Sequence, residues 1–146
     1  MGHIEASREL GAGAAELWAT VADPTTWGDW FTVHDKWLEE PPATLTPGTK
    51  LIAKIVMLGM ANKIEWSIES VEAPHKLVLA GTGMAGVKAR FVFGIEPIAT
   101  GSRFTVSGDF EGALVKGALA KAVEKDGVKQ LDKSLDALDA YAAASA

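Results

Sequence analysis

The stretch Val87–Phe110, VKARFVFGIEPIATGSRFTVSGDF, decides the fold class of this chain. Apolar and polar residues alternate in it on both sides of a turn signal at Thr100-Gly101. A period of two is typical of strands that bury one face and expose the other. The stretch therefore predicts two neighbouring antiparallel strands joined by a short turn.

The same alternation extends toward the N-terminus, in segments that glycine and proline separate. Residues 3–10, 49–58 and 61–71 each place an apolar side chain at nearly every second position. Gly81-Thr82-Gly83 falls in a further predicted hairpin rather than between a strand and a helix, so it is not a dinucleotide-binding loop. Because short connections join successive strands, we expect an antiparallel meander that is covered on one face.

Two short helices are predicted between the first strand and the rest of the sheet. Residues 14–22 carry apolar side chains at helical spacing. The Asp-Pro pair at 23–24 stops this helix and begins a second one. The second helix would bring Trp27, Trp30 and Phe31 together, either as a lid or wall of a pocket or as a plug that holds the helices on the sheet.

The C-terminal segment, residues 113–144, has no proline and is rich in alanine, leucine and lysine. Val128, Leu131, Leu135 and Leu138 follow a spacing of three and four residues, which predicts a long amphipathic helix. A helix of this length must lie across the sheet to bury its apolar stripe. The sequence therefore predicts an α+β fold, with a curved antiparallel sheet, two short helices and a long C-terminal helix.

The composition predicts one domain, residues 1–146, because 48% of the residues are apolar and 23% are charged. The formal charge of −5 argues against nucleic acid as a partner, since nucleic-acid binders need a concentrated positive surface. The N-terminus lacks the apolar region of a signal peptide, and no apolar stretch is long enough to span a bilayer. We therefore expect a cytoplasmic protein without stable membrane insertion.

Several kinds of chemistry are excluded by the residues that the sequence lacks. There is no cysteine, which excludes disulfides, thiol catalysis and thiolate metal sites. The three histidines lie far apart, without the HxH or HExxH spacing of a zinc site. The sequence also contains no GxSxG motif and no P-loop. We expect neither a metal nor another cofactor.

The N-terminal half of the predicted helix turns small residues and one carboxylate toward the sheet: Gly117, Ala120, Glu124 and Gly127. The facing strands offer the aromatic side chains Trp66, Phe91, Phe93 and Phe104. Small residues opposite a curved sheet leave space, which predicts a ligand-sized cavity between sheet and helix. The alternative is that the small residues only let helix and sheet approach closely, while the aromatic rings fill the volume.

Three polar residues are candidates for ligand contact or acid-base chemistry. Glu124 either orients a polar ligand group or donates a proton, unless it reaches the rim of the cavity and stays solvated. Asn62 either binds a ligand or serves a turn. His34 is a candidate general base at the cavity mouth, or a solvated loop histidine. The expected ligand-binding residues are Trp30, Phe31, Met57, Asn62, Ile64, Trp66, Phe91, Phe93, Phe104, Gly117, Ala120 and Glu124.

The predicted order of elements is one strand, two short helices, six strands and a long helix, with DPTTWGDWF (Asp23–Phe31) opening the second helix. This order resembles the START-like, or SRPBCC, superfamily, which includes pollen-allergen-type proteins, lipid-transfer domains and bacterial polyketide cyclases or dehydrases. The resemblance covers nearly the whole chain. It implies a helix-grip fold with a seven-stranded sheet and a cavity for lipids, steroids, polyketides or similar apolar molecules.

A narrower resemblance is carried by WFTVHDKW (30–37), GMANKIEWSI (59–68) and GTGMAGVKARF (81–91). These stretches are similar to an actinobacterial branch of the superfamily whose members are described as toxins of type II toxin–antitoxin pairs. The resemblance implies a small antitoxin protein as a partner. It carries over no catalytic residues.

Three functions are compatible with these observations. The first, which we favour, is binding of an apolar small molecule without catalysis, because the inward faces of the strands are nearly all apolar. The second is a polyketide cyclase or dehydratase that uses Glu124 and His34 as acid and base. Members of that class usually place several polar side chains in the pocket, which this sequence does not. The third is a toxin that acts through a protein partner.

Overall fold

The computed structural model describes residues 2–42, 44–57, 60–83, 86–112 and 117–145, with side chains for all of these except residues 2, 57, 60, 117–120 and 142–145. Seven antiparallel strands form one sheet in the order β1-β7-β6-β5-β4-β3-β2. The strands are β1 (Gly2–Leu10), β2 (His34–Trp37), β3 (Lys50–Met57), β4 (Met60–Glu72), β5 (Lys76–Gly83), β6 (Lys88–Ile98) and β7 (Gly101–Glu111).

Three α-helices accompany the sheet: α1 (Ala14–Val21), α2 (Trp27–Trp30) and α3 (Gly117–Ser145). A 3₁₀ turn at Pro24–Thr26 joins the first two, and the Asp23 side chain caps this turn by accepting a hydrogen bond from the Thr25 amide. The predicted α+β architecture is confirmed. In the described part of the chain, no helix is long and apolar enough to cross a membrane.

Buried and exposed side chains alternate along the strands, as the sequence predicts. In β6 and β7 the side chains of Phe91, Phe93, Phe104 and Val106 are at most 2% exposed, whereas their sequence neighbours are partly or largely exposed. One face is therefore apolar and covered by the helices, and the other is wet.

Two glycines on the inner face make room for aromatic rings of the neighbouring strand. A Cβ at Gly81 would lie 2.7 Å from Cε3 and Cζ3 of Trp66, and a Cβ at Gly108 would lie 2.7 Å from Cε1 of Phe91. Gly81-Thr82-Gly83 falls in a hairpin, as predicted, because these residues end β5 and pair with the start of β6. Gly81 is needed in the strand because the Trp66 ring occupies the space above it.

Helix α3 lies along the edge strand β1 and also reaches the segment before β2. Gly127 packs against the Ile4 side chain, and Arg8 forms ion pairs with Asp132 and Asp136. Thr32, two residues before β2, is bonded to the same helix. Its amide donates a hydrogen bond of 2.9 Å to Oγ of Ser134. One helix thus contacts one edge strand of the sheet and the segment that leads into the other.

The predicted apolar stripe of α3 is correct for its leucines but wrong for Val128. Leu131, Leu135 and Leu138 are at most 1% exposed, whereas Val128 is 40% exposed. The reason is the phase of the helix: Gly127 faces Ile4 at close range, which turns the next residue about 100° away from the sheet.

Gly108→Ala is expected to lower the free energy of unfolding by about 1 to 3 kcal/mol. The Phe91 ring that the new Cβ would meet is packed against Phe31, Trp66 and Phe110 and has nowhere to move. Gly94→Ala is the matched control, since its Cβ would meet the Thr105 carbonyl oxygen at 3.8 Å, an ordinary contact. Urea unfolding measures both variants, and equal losses of stability would contradict the packing described here.

Candidate functional site

The inner face of the sheet is least tightly covered at one end, which we call the open end: the end at which β1, β2, β4 and β6 begin. Of the buried apolar side chains in the described part of the chain, three retain more than 5% exposure: Ile55 (8%), Ala89 (6%) and Val123 (6%). Ile55 lies near the end of β3, Ala89 lies near the start of β6, and Val123 precedes Glu124, which contacts the start of β1. All three therefore lie at the open end.

The opposite half of the inner face is filled by an aromatic cluster. Trp30 and Phe31 pack edge-on against Phe93 with ring centroids 5.8 and 5.6 Å apart, and Phe93 stacks on Phe104 at 6.0 Å. These four predicted ligand-binding residues are at most 2% exposed. Their packing matches the plug that the sequence offered as the alternative to a lid.

Trp66 and Phe91 lie between the aromatic cluster and the open end. The two rings meet edge to face at 5.7 Å, and Phe91 also contacts Phe110 near the end of β7. Trp66 is fully buried, yet its indole Nε1 has no hydrogen-bond partner among the residues that the structure describes. A buried donor without a partner is costly and rare, so this nitrogen is the first polar atom to consider for a ligand.

His34 is not the solvated loop histidine that the sequence allowed. It is the first residue of β2, is 5% exposed, and lies with its ring against Trp27 and Trp37. Its Nδ1 is buried and has no hydrogen-bond partner. Burial lowers the pKa of His34 to about 4, although the nearby Asp35 carboxylate acts in the opposite direction. The imidazole is therefore neutral at pH 7.

Glu124 is engaged with the edge of the sheet. Its carboxylate oxygen Oε2 accepts a hydrogen bond of 2.9 Å from the backbone amide of His3 in β1. It is half-buried, which matches the rim position that the sequence offered as an alternative. Glu124 and His34 thus lie beside opposite edges of the sheet and share no hydrogen bond.

Asn62 and Ile64 face inward from the start of β4, as predicted. Asn62 is half-buried and lies opposite Ile55 in β3. It interacts with other residues of the protein. Ile64 is 2% exposed and contacts the same space above Gly81 that the Trp66 ring fills. The side chains of Met57, Gly117 and Ala120, which were also predicted to line the site, lie outside the described residues.

A cavity of about 400 Å³ also lies at the open end, but on the other face of the sheet. Most of its lining side chains point outward: the partly exposed Ala80 and the exposed Thr82, Lys88, Arg90, Asp109 and Glu111, with Gly81, Ala89 and Phe110 between them. Two of these charges already have partners, because Arg90 pairs with Glu69 and Asp109 with His3. This cavity on the outer face is distinct from the space between sheet and helix that the sequence predicts.

The sequence reasoning missed Ile55, Ala89, Phe110 and Val123 as residues of the open end. The first three belong to the inward set of their strands, so alternation marked them as buried. What it could not supply was the strand register, which places Ala89 between Gly81 and Phe110. Val123 lies at the N-terminal end of the helical stripe, four residues before Gly127 and eight before Leu131.

Comparison with known proteins gives consistent results over the whole chain. A family model described as "Polyketide cyclase / dehydrase and lipid transport" matches residues 1–143. Among curated proteins, the uncharacterized protein Rv1546 of Mycobacterium tuberculosis is 24% identical over 92% of this chain and 94% of its own length. Toxin Rv0910 of the same organism is 27% identical over 84% of this chain and 85% of its own length.

Solved structures share the fold. A START superfamily protein from Mycobacterium smegmatis superposes with a TM-score of 0.78 and 15% sequence identity, and all of both chains is covered. The helix-grip architecture that the sequence resemblance implied is thereby confirmed.

His34 is expected to make the fold less stable as the pH falls from 6.5 to 4. The unfolded chain takes up a proton on His34 near pH 6.5, whereas the folded chain does so only near pH 4, so protonation favours the unfolded state between these values. At pH 4.5 the loss relative to pH 7 amounts to about 2 to 3 kcal/mol for this group.

His34→Leu is expected to remove this part of the pH dependence, and His75→Leu, which replaces an exposed histidine in a turn, is the control. Urea unfolding at pH 7 and pH 4.5 provides the test for the wild type and both variants. If the wild type and His34→Leu lost equal stability between pH 7 and pH 4.5, His34 would not be the source of this pH dependence.

Proposed function

This chain belongs to the polyketide cyclase / dehydrase and lipid transport family, and from that premise we propose that it binds an apolar small molecule at the open end, between the inner face of the sheet and α3. The lipid, steroid or polyketide-like molecules that the sequence resemblance implied are the candidate ligands.

The observation that carries this proposal is the distribution of residual exposure in the core. One half of the inner face is closed by the aromatic cluster, and Ile55, Ala89 and Val123 keep their accessible surface at the open end. Apolar side chains that remain accessible beside a closed core give a ligand a surface on which to exclude water. Trp66, Ile64 and Phe91 form the wall between the two halves.

The arrangement of titratable groups favours binding over catalysis. In the described part of the chain the buried polar side chains are Thr20, Thr26, His34, Ser102 and Ser134. Only the histidine among them is an acid-base group, and burial lowers its pKa to about 4. Acid-base chemistry on a bound molecule needs two groups within reach of it. Glu124, the expected partner of His34, is engaged with the amide of His3. A cyclase or dehydratase reaction is therefore the less favoured reading within this family.

The affinity that such a site can provide is modest without polar contacts. Burying about 200 Å² of apolar ligand surface yields on the order of 5 kcal/mol before the cost of association is subtracted. A larger ligand or a polar anchor is needed for micromolar binding. Asn62 and Glu124 are candidate anchors at the rim, and Met57, Gly117 and Ala120 complete the proposed lining.

Ala89→Leu is expected to weaken uptake of a neutral apolar probe such as N-phenyl-1-naphthylamine by at least about tenfold, because the larger side chain occupies the open end. Ala15→Leu is the matched control, since it adds the same atoms on the exposed face of α1. Fluorescence titration measures the affinity, and thermal unfolding verifies that both variants remain folded. Unchanged affinity in a folded Ala89→Leu protein would place the ligand elsewhere.

A second candidate function is that of a toxin controlled by a protein partner. The observation that favours it is the 27% identity to Toxin Rv0910 over 84% of this chain. It is tested by expressing the chain with and without the product of the gene directly upstream. Growth arrest that the neighbouring product relieves, together with a stable complex in size-exclusion chromatography, supports this function. Normal growth and separate elution of the two proteins would contradict it.

A further inference from the structure

The buried tryptophans of this chain differ in how their indole nitrogens are used. Nε1 of Trp27 donates to the Val21 carbonyl oxygen at 2.9 Å, and Nε1 of Trp30 donates to Oγ1 of Thr26 at 3.0 Å. The partly buried Trp37 donates to the Pro24 carbonyl oxygen at 2.8 Å. Trp66 is fully buried, and its Nε1 donates to no atom of the described residues.

The way Trp66 packs shows which edge of its ring faces β5. Cε3 and Cζ3 lie over Gly81, close enough that a Cβ there would be 2.7 Å away. Nε1 is on the opposite long edge of an indole, so the N–H is turned away from β5. Covering Gly81 needs only the six-membered ring, which a phenylalanine also supplies. The indole nitrogen is therefore not required by the packing of the sheet.

The described surroundings of Trp66 offer no substitute partner inside the protein. Its ring lies against Phe91 and Ile64, and its strand neighbours in register are Leu51 and Gly81. A buried N–H that is left unbonded loses its hydration without compensation. An acceptor brought by a ligand would restore the hydrogen bond.

We propose that the indole N–H of Trp66 is the polar anchor of the apolar site, and that the ligand presents a neutral oxygen acceptor to it, as a ketone, ester or ether does. This inference rests on the proposed function and names the class of ligand. An indole nitrogen donates and does not accept, so a ligand hydroxyl would bind through its oxygen and leave its own proton unpaired.

A charged carboxylate is disfavoured at this position. In the described part of the chain no lysine or arginine side chain is buried, and Arg8, which extends from the inner face of β1, is already paired with Asp132 and Asp136. A buried carboxylate without a cation keeps a large desolvation penalty that one hydrogen bond does not offset. Neutral ketones and esters therefore fit the site better than fatty acids.

The test compares fluorene, fluorenone and fluorene carboxylate, which share one tricyclic skeleton, together with undecane, undecanone and undecanoate as a chain-like set. Equilibrium dialysis measures their affinities for the wild type, for Trp66→Phe and for Trp18→Phe. Trp18 is a partly buried tryptophan of α1, on the side of the molecule away from the open end. Trp18→Phe is thus the matched control.

We expect the ketone-to-hydrocarbon affinity ratio to fall by about tenfold in Trp66→Phe, which is the effect of losing one buried hydrogen bond. In Trp18→Phe the ratio should stay at its wild-type value, and the carboxylates should bind the wild type more weakly than the ketones. A ratio that Trp66→Phe leaves unchanged, or carboxylates that bind more tightly than ketones, would overturn this inference while leaving the proposed function intact. Failure of every compound to bind the wild type would overturn both.

A second measurement needs no variant that must fold. In a ¹H–¹⁵N spectrum of the wild type, the assigned indole resonance of Trp66 should move downfield on addition of fluorenone and not of fluorene. An indole resonance that responds equally to both compounds would overturn the proposed hydrogen bond.

Discussion

The attachment of α3 to the edge strand β1 and to the segment before β2 is the constraint on which the rest of this structure depends. At one edge Gly127 lets the helix approach Ile4 of β1, and Arg8 pairs with two aspartates of the helix. At the other edge the amide of Thr32 donates to Ser134. Since β1 and β2 are the two outermost strands, one helix bonded beside both holds the sheet in its curl. The curl in turn gives the inner face its concave shape.

The concave face is then divided by side-chain size. Aromatic rings from α2 and the residue after it fill one half against Phe93 and Phe104, and the small or aliphatic residues Ala89, Ile55 and Val123 cover the other half incompletely. Trp66 stands at the boundary because Gly81 on the next strand leaves room for its ring. In our proposal, the incompletely covered half beside the aromatic rings binds the ligand, and the Trp66 N–H is its hydrogen-bond donor.

Much of this fold could be predicted from local pattern alone. The alternation in Val87–Phe110 and in 61–71 correctly predicted which side chains face inward. The leucines correctly predicted which side of α3 faces the sheet. Val128 was misplaced because the approach of Gly127 to Ile4 is a tertiary contact that helical periodicity does not contain. His34 and Glu124 were placed near a common cavity, but strand order separates the edges that they occupy. The unbonded nitrogen of Trp66 has no signature in the sequence, since it depends on which atoms surround the ring.

Native mass spectrometry of the protein purified from its own host, followed by denaturing extraction of whatever is bound, tests the central claim most directly. Our account predicts a mass excess over the chain that disappears on denaturation, and an extracted apolar molecule that carries a ketone, ester or ether oxygen. A chain that has the mass of its sequence alone, and that acquires no small molecule when returned to a lipid extract of the host, would contradict it.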